Sequence, residues 1–286
     1  MHSKQALIIK VLHNTFHSGE PGHFFDVYSE EDAQKVKQLD ITSTDTFPFL
    51  AQALDRIEFI HPSWLLSVLA EMPAEAHGVI AAALPKFQGQ YLREHLKIIP
   101  SDITLAEPVK AYLLNRFVQR IPGAAEVLDT AFLPKSHLSR LLEWKREEII
   151  ELCNYLGLID LASEIRHIID QKKLQKVYSC LNPKEQNYLK QAMQQKEKLS
   201  TVSLGLDRWS GDCERLRTVI QTRGLIRLAT ALSGEHPDVV WQLSHILDKG
   251  RGLVLVKHVS SNPIRHSTAH AVQQVLILMK KKVTRE

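Results

Sequence analysis

Apolar residues in this chain recur at three- and four-residue spacing, in short blocks punctuated by proline. One block occurs twice, 175 residues apart: Ile60-His61-Pro62-Ser63-Trp64-Leu65-Leu66-Ser67-Val68-Leu69 and Glu235-His236-Pro237-Asp238-Val239-Val240-Trp241-Gln242-Leu243-Ser244. In both copies the second, third, fourth and sixth residues after proline are apolar. Proline suits a first helical position, because the N–H it lacks would have had no partner there. Each copy therefore predicts a helix that begins abruptly at His61-Pro62 or His236-Pro237 and buries one face. Repeated starts of this kind predict a scaffold of stacked helices.

The same pattern extends along the chain. Phe16 to Tyr28, with Gly19, Pro21 and Gly22, reads as a loop, and Ser29-Glu30-Glu31-Asp32 as an acidic first helical turn. Apolar residues from Phe47 to Ile57 have helical spacing, and a helix opened by Pro73 is ended by Pro85. A further helix is expected from Leu105 to Phe117, with a break at Ile121-Pro122-Gly123. Leu133-Pro134-Lys135-Ser136 marks the boundary between an N-terminal helical domain, 1–134, and a C-terminal one, 135–286.

In the second half a stripe from Leu138 to Cys153 is expected to stop at Gly157, with a new helix through Leu161 to Ile169. Asn182-Pro183-Lys184-Glu185 combines N-cap, first-position proline and capping glutamate. Cys213 to Leu232 reads as two helices, separated or kinked near Gly224. Gly250-Arg251-Gly252 is expected to close the second repeated helix, and Leu253 to Val259 fits a strand, a helix or an extended connector. Ile264 to Lys282 is a final helix with basic residues at its end. The expected class is all-α, helix pairs stacked with little or no β-sheet.

Composition changes this picture little. Of 286 residues, 44% are hydrophobic and 24% charged, as in soluble globular proteins, and the net charge is only +4. No apolar run approaches the ~20 residues that span a bilayer, and the apolar stretch Ala6–Leu12 lacks a small-residue cleavage site, so neither membrane insertion nor a signal peptide is expected. Cys153, Cys180 and Cys213 are odd in number and lack CxxC spacing, which reads as isolated thiols in a reducing compartment and makes cytoplasm the default.

Candidate chemistry is sparse. His13/His17 and His266/His270 are spaced to share a helix face, yet neither pair has the glutamate of HExxH or a third ligand, so no metal site is assigned. No GxSxG, P-loop or GxGxxG stretch occurs, and no catalytic or cofactor-binding residue is assigned. Arg208, Arg215, Arg217, Arg223 and Arg227, with Trp209 among them, form the densest arginine set. They could meet phosphates or an acidic protein surface; local neutralisation by Asp207, Asp212 and Glu214 is the favoured reading over a nucleic-acid footprint. Trp209, Arg208, Arg215, Arg223 and Arg227 are retained as candidate protein-interaction residues. Trp64 and Trp241 lie on apolar faces and are expected in the core, with an interface role as the alternative.

The segment His61–Leu96 resembles the middle domain of the flagellar motor switch protein FliG. That family has a Glu-His-Pro-Gln helix start, an apolar helix and a second, proline-bounded helix ending in Leu-Pro. The matching residues here are His61-Pro62-Ser63, the helix through Leu69, Pro73 and Leu84-Pro85, and Glu235-His236-Pro237-Asp238 comes closer still to the start. Ile60 replaces the family's glutamate, Ser63 or Asp238 its glutamine, and the charged helix that meets the stator has no counterpart. The resemblance implies an armadillo/FliG-like right-handed helical repeat. It also implies a relative of the sorting-platform accessory protein (SctK) of type III secretion systems. Such a protein is a non-enzymatic adaptor between a membrane ring's cytoplasmic domain and a cytosolic pod or C-ring protein, in the cytoplasm or peripheral at the inner membrane face. The alternatives are a generic helical-repeat interaction scaffold, or a nucleic-acid-associated protein using 208–227.

Overall fold

The structure is a computed structural model that describes residues 9–10, 13, 25–39, 57–99, 103–124, 127–128, 130–166, 168, 170–194, 204–259 and 265–283. The described residues are mostly helical, with no strand among them. No described helix is long and apolar enough to cross a membrane. The helices expected around 47–56, and His17 of the first histidine pair, lie outside the described residues.

Helix α1 (Glu30–Gln38) starts where the acidic turn predicted it, with the Ser29 hydroxyl accepting the Asp32 N–H. Helices α2 (Pro62–Ala70), α3 (Ala74–Ala83), α4 (Lys86–Leu96) and α5 (Glu107–Val118) follow. They enclose a core of Ile57, Leu65, Leu69, Leu92, Leu114 and Phe117. The rhythm of proline-started helices holds, because Pro73 and Pro85 each stand at an N-cap. Helix α4 was not anticipated: its sequence, KFQGQYLREHL, carries too few apolar residues to show a stripe.

The second half is built on two 20-residue helices, α6 (Arg146–Ile165) and α9 (Cys213–Leu232). Between them lie α7 (Gln171–Ser179) and α8 (Pro183–Gln194), and after them α10 (Pro237–Ile246), α11 (Lys249–His258) and α12 (Arg265–Val283). The α8 start is the expected capping box: Asn182 Oδ1 accepts the Glu185 N–H, and Glu185 Oε2 accepts the Asn182 N–H, both at 2.9 Å.

Three glycine-based expectations are overturned, each for a tertiary reason. Helix α6 runs through Gly157 without stopping, and α9 runs through Gly224 as one helix. The two glycines mark where α6 and α9 cross. A Cβ on Gly157 would lie 2.0 Å from the Ile220 carbonyl oxygen, and one on Gly224 would lie 1.7 Å from that of Cys153. Only glycine admits so close a backbone approach. Gly250-Arg251-Gly252 does not close a helix but opens α11, whose N-cap is Asp248, and the segment from Leu253 takes the helical option of the three.

The cysteine reading also needs correction. Cys180 and Cys213 form a disulfide that ties the end of α7 to the start of α9. Their Cα atoms lie 5.1 Å apart, inside the range a bridge requires. Only Cys153 keeps the expected free thiol; it is buried, and burial pushes that thiol up to about 12. Disulfides persist mainly in oxidising settings, so cysteine usage no longer argues for a reducing compartment.

Candidate interaction site at the junction of the two halves

The two repeated phrases meet. Each histidine caps its helix with Nδ1, which accepts the Ser63 N–H at 3.2 Å in the first copy and the Asp238 N–H at 3.3 Å in the second. The residue after each proline then reaches away from its own helix. Ser63 Oγ accepts the Lys249 N–H at 2.8 Å, at the start of α11, and Asp238 Oδ2 accepts the Leu128 N–H at 3.0 Å. The His61 N–H donates to the His245 carbonyl at 2.8 Å, joining the start of α2 to the end of α10.

The two tryptophans complete a clasp. Trp64 donates its indole N–H to the Leu247 carbonyl in the second half, and Trp241 donates to the Pro122 carbonyl in the first, each at 3.0 Å. Between them lies the His245 ring, stacked on Trp64 at 4.2 Å and on Trp241 at 3.8 Å. His245 is buried, and that burial pushes its pKa down to about 4. Its Nδ1 lies 2.8 Å from the Trp241 carbonyl, a contact that fits a neutral ring with the proton on Nδ1. Trp64 and Trp241 are half-buried. Their apolar faces pack as the sequence implied, while their N–H groups bind the opposite half.

Beside the clasp the halves leave a groove of about 1260 Å³. Its floor takes Ile60 and Pro62 from one half and Ile246 from the other, with Leu133, at the boundary between them, packed in the core of the second half. Phe59 and Phe87 line it and are 62% and 61% exposed. Phe87 stands at the second position of α4. Phe59 is held by its neighbours: Ile57 and Ile60 are buried, and the buried Gln88 amide donates to the Ile57 and Glu58 carbonyls at 3.3 and 3.2 Å. Lys135, Arg140 and Lys145 bring cations to the lining, and Glu58 and Glu143 bring carboxylates. His61, also in the lining, is held below its usual pKa, first by burial and then by the nearby Arg146 guanidinium.

The candidate residues from the arginine set do not gather into one surface. Arg227 is buried, ion-paired with the equally buried Asp160, its Nε donating at 2.7 Å and Nη1 donating to Gln274 at 2.6 Å. It is a core residue and is corrected as such: Asp160, 67 positions away, supplies the compensating charge that a buried guanidinium requires. Arg217 donates to the Cys180 carbonyl at 3.2 Å, and Arg223 is half-buried. Arg208 and Arg215 are exposed. Trp209 is half-buried against the cluster around Leu206, and its N–H donates to the Asp212 carbonyl at 2.8 Å. Asp212 acts as the α9 N-cap, with its carboxylate on the Glu214 and Arg215 N–H groups. His266 and His270 both lie on α12, where His270 Nε2 is 3.1 Å from the Gln274 amide. No group of three potential metal ligands occurs among the described residues.

The groove itself was not visible in the sequence. Phe59 and Phe87 are separated by 28 residues and carried no signal beyond being apolar. Comparison with family models, curated proteins and solved structures finds no match for this chain.

Proposed function

We propose that this chain is a non-enzymatic adaptor that seats an apolar-faced segment of a protein partner in the groove between its halves. The observation that carries this reading is the pair of exposed phenylalanines, Phe59 and Phe87, beside a floor built from both halves. Large aromatics left in water beside a concave surface are the usual anchors of protein recognition. The clasp beneath supports the same reading, because a groove whose two sides are bolted together presents a fixed shape and little ordering cost.

The FliG-like segment His61–Leu96 extends the proposal to a type III secretion or flagellar-type apparatus. There the partners are a membrane ring's cytoplasmic domain and a pod or C-ring protein. The nucleic-acid alternative loses support, since Arg227 is buried against Asp160 and Arg217 is bound to the Cys180 carbonyl. A generic helical scaffold would use the same groove for unrelated partners.

The test is a cross-linked pull-down from native cells, comparing wild type with Phe59→Ser/Phe87→Ser. Recovery of ring and pod components by wild type, with loss of one in the variant, is expected. Equal recovery by both would remove the groove from the reading. Recovery of neither component by wild type would remove the apparatus.

A further inference from the structure

A second pocket, of about 500 Å³, opens on α6, α8 and α12, and its wall includes Trp144, which also lines the groove between the halves. Tyr155 and Tyr188 form part of the lining, edge to face with centroids 4.9 Å apart at 72°. Glu148 and Glu151, three residues apart on α6, add carboxylates to the same wall. Of the two lysines in the lining, Lys184 and Lys281, one already stands over a ring: Lys281 Nζ is 5.4 Å from the centre of Tyr188. Three aromatic residues and two carboxylates around one small volume is the chemistry that takes an organic cation, because ring faces carry negative electrostatic potential.

We infer that this pocket receives the guanidinium of an arginine side chain from the partner seated in the groove, with Lys281 as its intramolecular stand-in. This rests on the adaptor reading for the source of the arginine, but not for the chemistry of the pocket. Lys281 is exposed, so its ammonium can leave the ring for water at little cost. A guanidinium is planar and weakly hydrated, which lets it stack on tyrosine or tryptophan while donating to a carboxylate. An anion would meet Glu151 and Glu148, whose Oε2 also accepts the Lys145 N–H at 2.7 Å, and a neutral apolar group would desolvate the Glu151 carboxylate without compensation. Lys184 also lines the pocket, and it is exposed. Trp144 belongs to both linings, so the groove and the pocket adjoin at that ring.

The experiment is a calorimetric titration of the full chain with Nα-acetylarginine amide and with its neutral isostere, Nα-acetylcitrulline amide. Binding of the arginine compound at least about tenfold tighter than the citrulline compound is expected. Glu151→Gln, a surface change that spares the fold, and Tyr188→Leu should each weaken it by roughly 3- to 10-fold. Lys281→Met should tighten it by about threefold, because the competing cation is gone. Equal affinity for both compounds, or binding to neither in wild type and in Lys281→Met, would overturn the assignment. So would a Lys281→Met variant that binds no more tightly than wild type. Phe59→Ser/Phe87→Ser should leave this titration unchanged while abolishing partner capture, so failure of the pocket and failure of the groove are read separately.

Discussion

The two His-Pro copies start their helices alike and finish the job differently. His61 and His236 cap with the same ring nitrogen onto the same backbone position. Their tryptophans sit at different offsets, second after the proline in one copy and fourth in the other. Trp64 therefore reaches forward to the Leu247 carbonyl and Trp241 back to that of Pro122, with His245 between them. The first copy's Ser63 holds the start of α11, whereas the second copy's Asp238 holds Leu128. A shared local signal thus makes two similar helix starts, and the residues that differ between the copies bind the halves together.

Removing the tryptophans should break that pairing most strongly. Trp64→Ala is expected to cost about 3–4 kcal/mol in urea unfolding. It removes packing from His245 and Gly252 and leaves the Leu247 carbonyl without its donor. Trp241→Ala should cost less, about 2–3 kcal/mol, because its hydrogen bond to Pro122 lies at the exposed rim. Both act on one ring, so the double variant should cost less than the sum of the two. Additive costs would mean that the clasp is two separate contacts.

Reduction of the Cys180–Cys213 disulfide offers a control away from the clasp. It should lower stability by about 2–4 kcal/mol, because the bridge closes a 33-residue separation and restrains the unfolded chain. Thiol counting in denaturant should find one free thiol, Cys153, before reductant and three after. Three from the outset would reject the bridge.

The acid response should be dominated by His245. Its folded pKa, about 4, lies below the ordinary histidine value, so the unfolded chain binds a proton more readily. Its contribution is therefore fully present above about pH 6.5, declines as pH falls towards 4, and reaches a total loss of roughly 3 kcal/mol. Reducing the disulfide should leave this dependence unchanged. His245→Phe, which keeps a ring between the tryptophans, should remove the larger part of it and leave the part that His61, also held below its usual value, contributes in the same direction.

The smallest effects belong to the starts themselves. His61→Ala and His236→Ala should each cost about 1 kcal/mol, the usual loss of an N-cap. Pro237 is exposed, and Pro237→Ala should fall within about 0.5 kcal/mol of wild type; Pro62 is buried in the junction, so Pro62→Ala should cost more. Equal losses at the two prolines would mean that the junction does not use Pro62.

Helix starts were legible because their causes are local. Proline geometry, the Asn182–Glu185 capping box and the acidic turn after Ser29 act within four residues of sequence. The glycines misled because local rules read them as stops. Gly157 and Gly224 are instead spacers for two helices in contact, and nothing within one helix announces the other. Arg227 read as surface charge because its partner, Asp160, lies 67 residues away. The candidate site was the least visible part: Phe59, Phe87 and Trp144 become neighbours of one groove only when the halves close.

By itself, the sequence determined the all-α class, the proline-bounded starts and the apolar faces to be buried. All three follow from interactions at helical spacing along one chain. Tertiary structure alone decided where α6 and α9 cross, which cysteines pair, which arginine is buried and how Trp64 and Trp241 trade hydrogen bonds across His245. Those outcomes depend on distances between residues far apart in sequence, and burial fixes them only once the helices have packed.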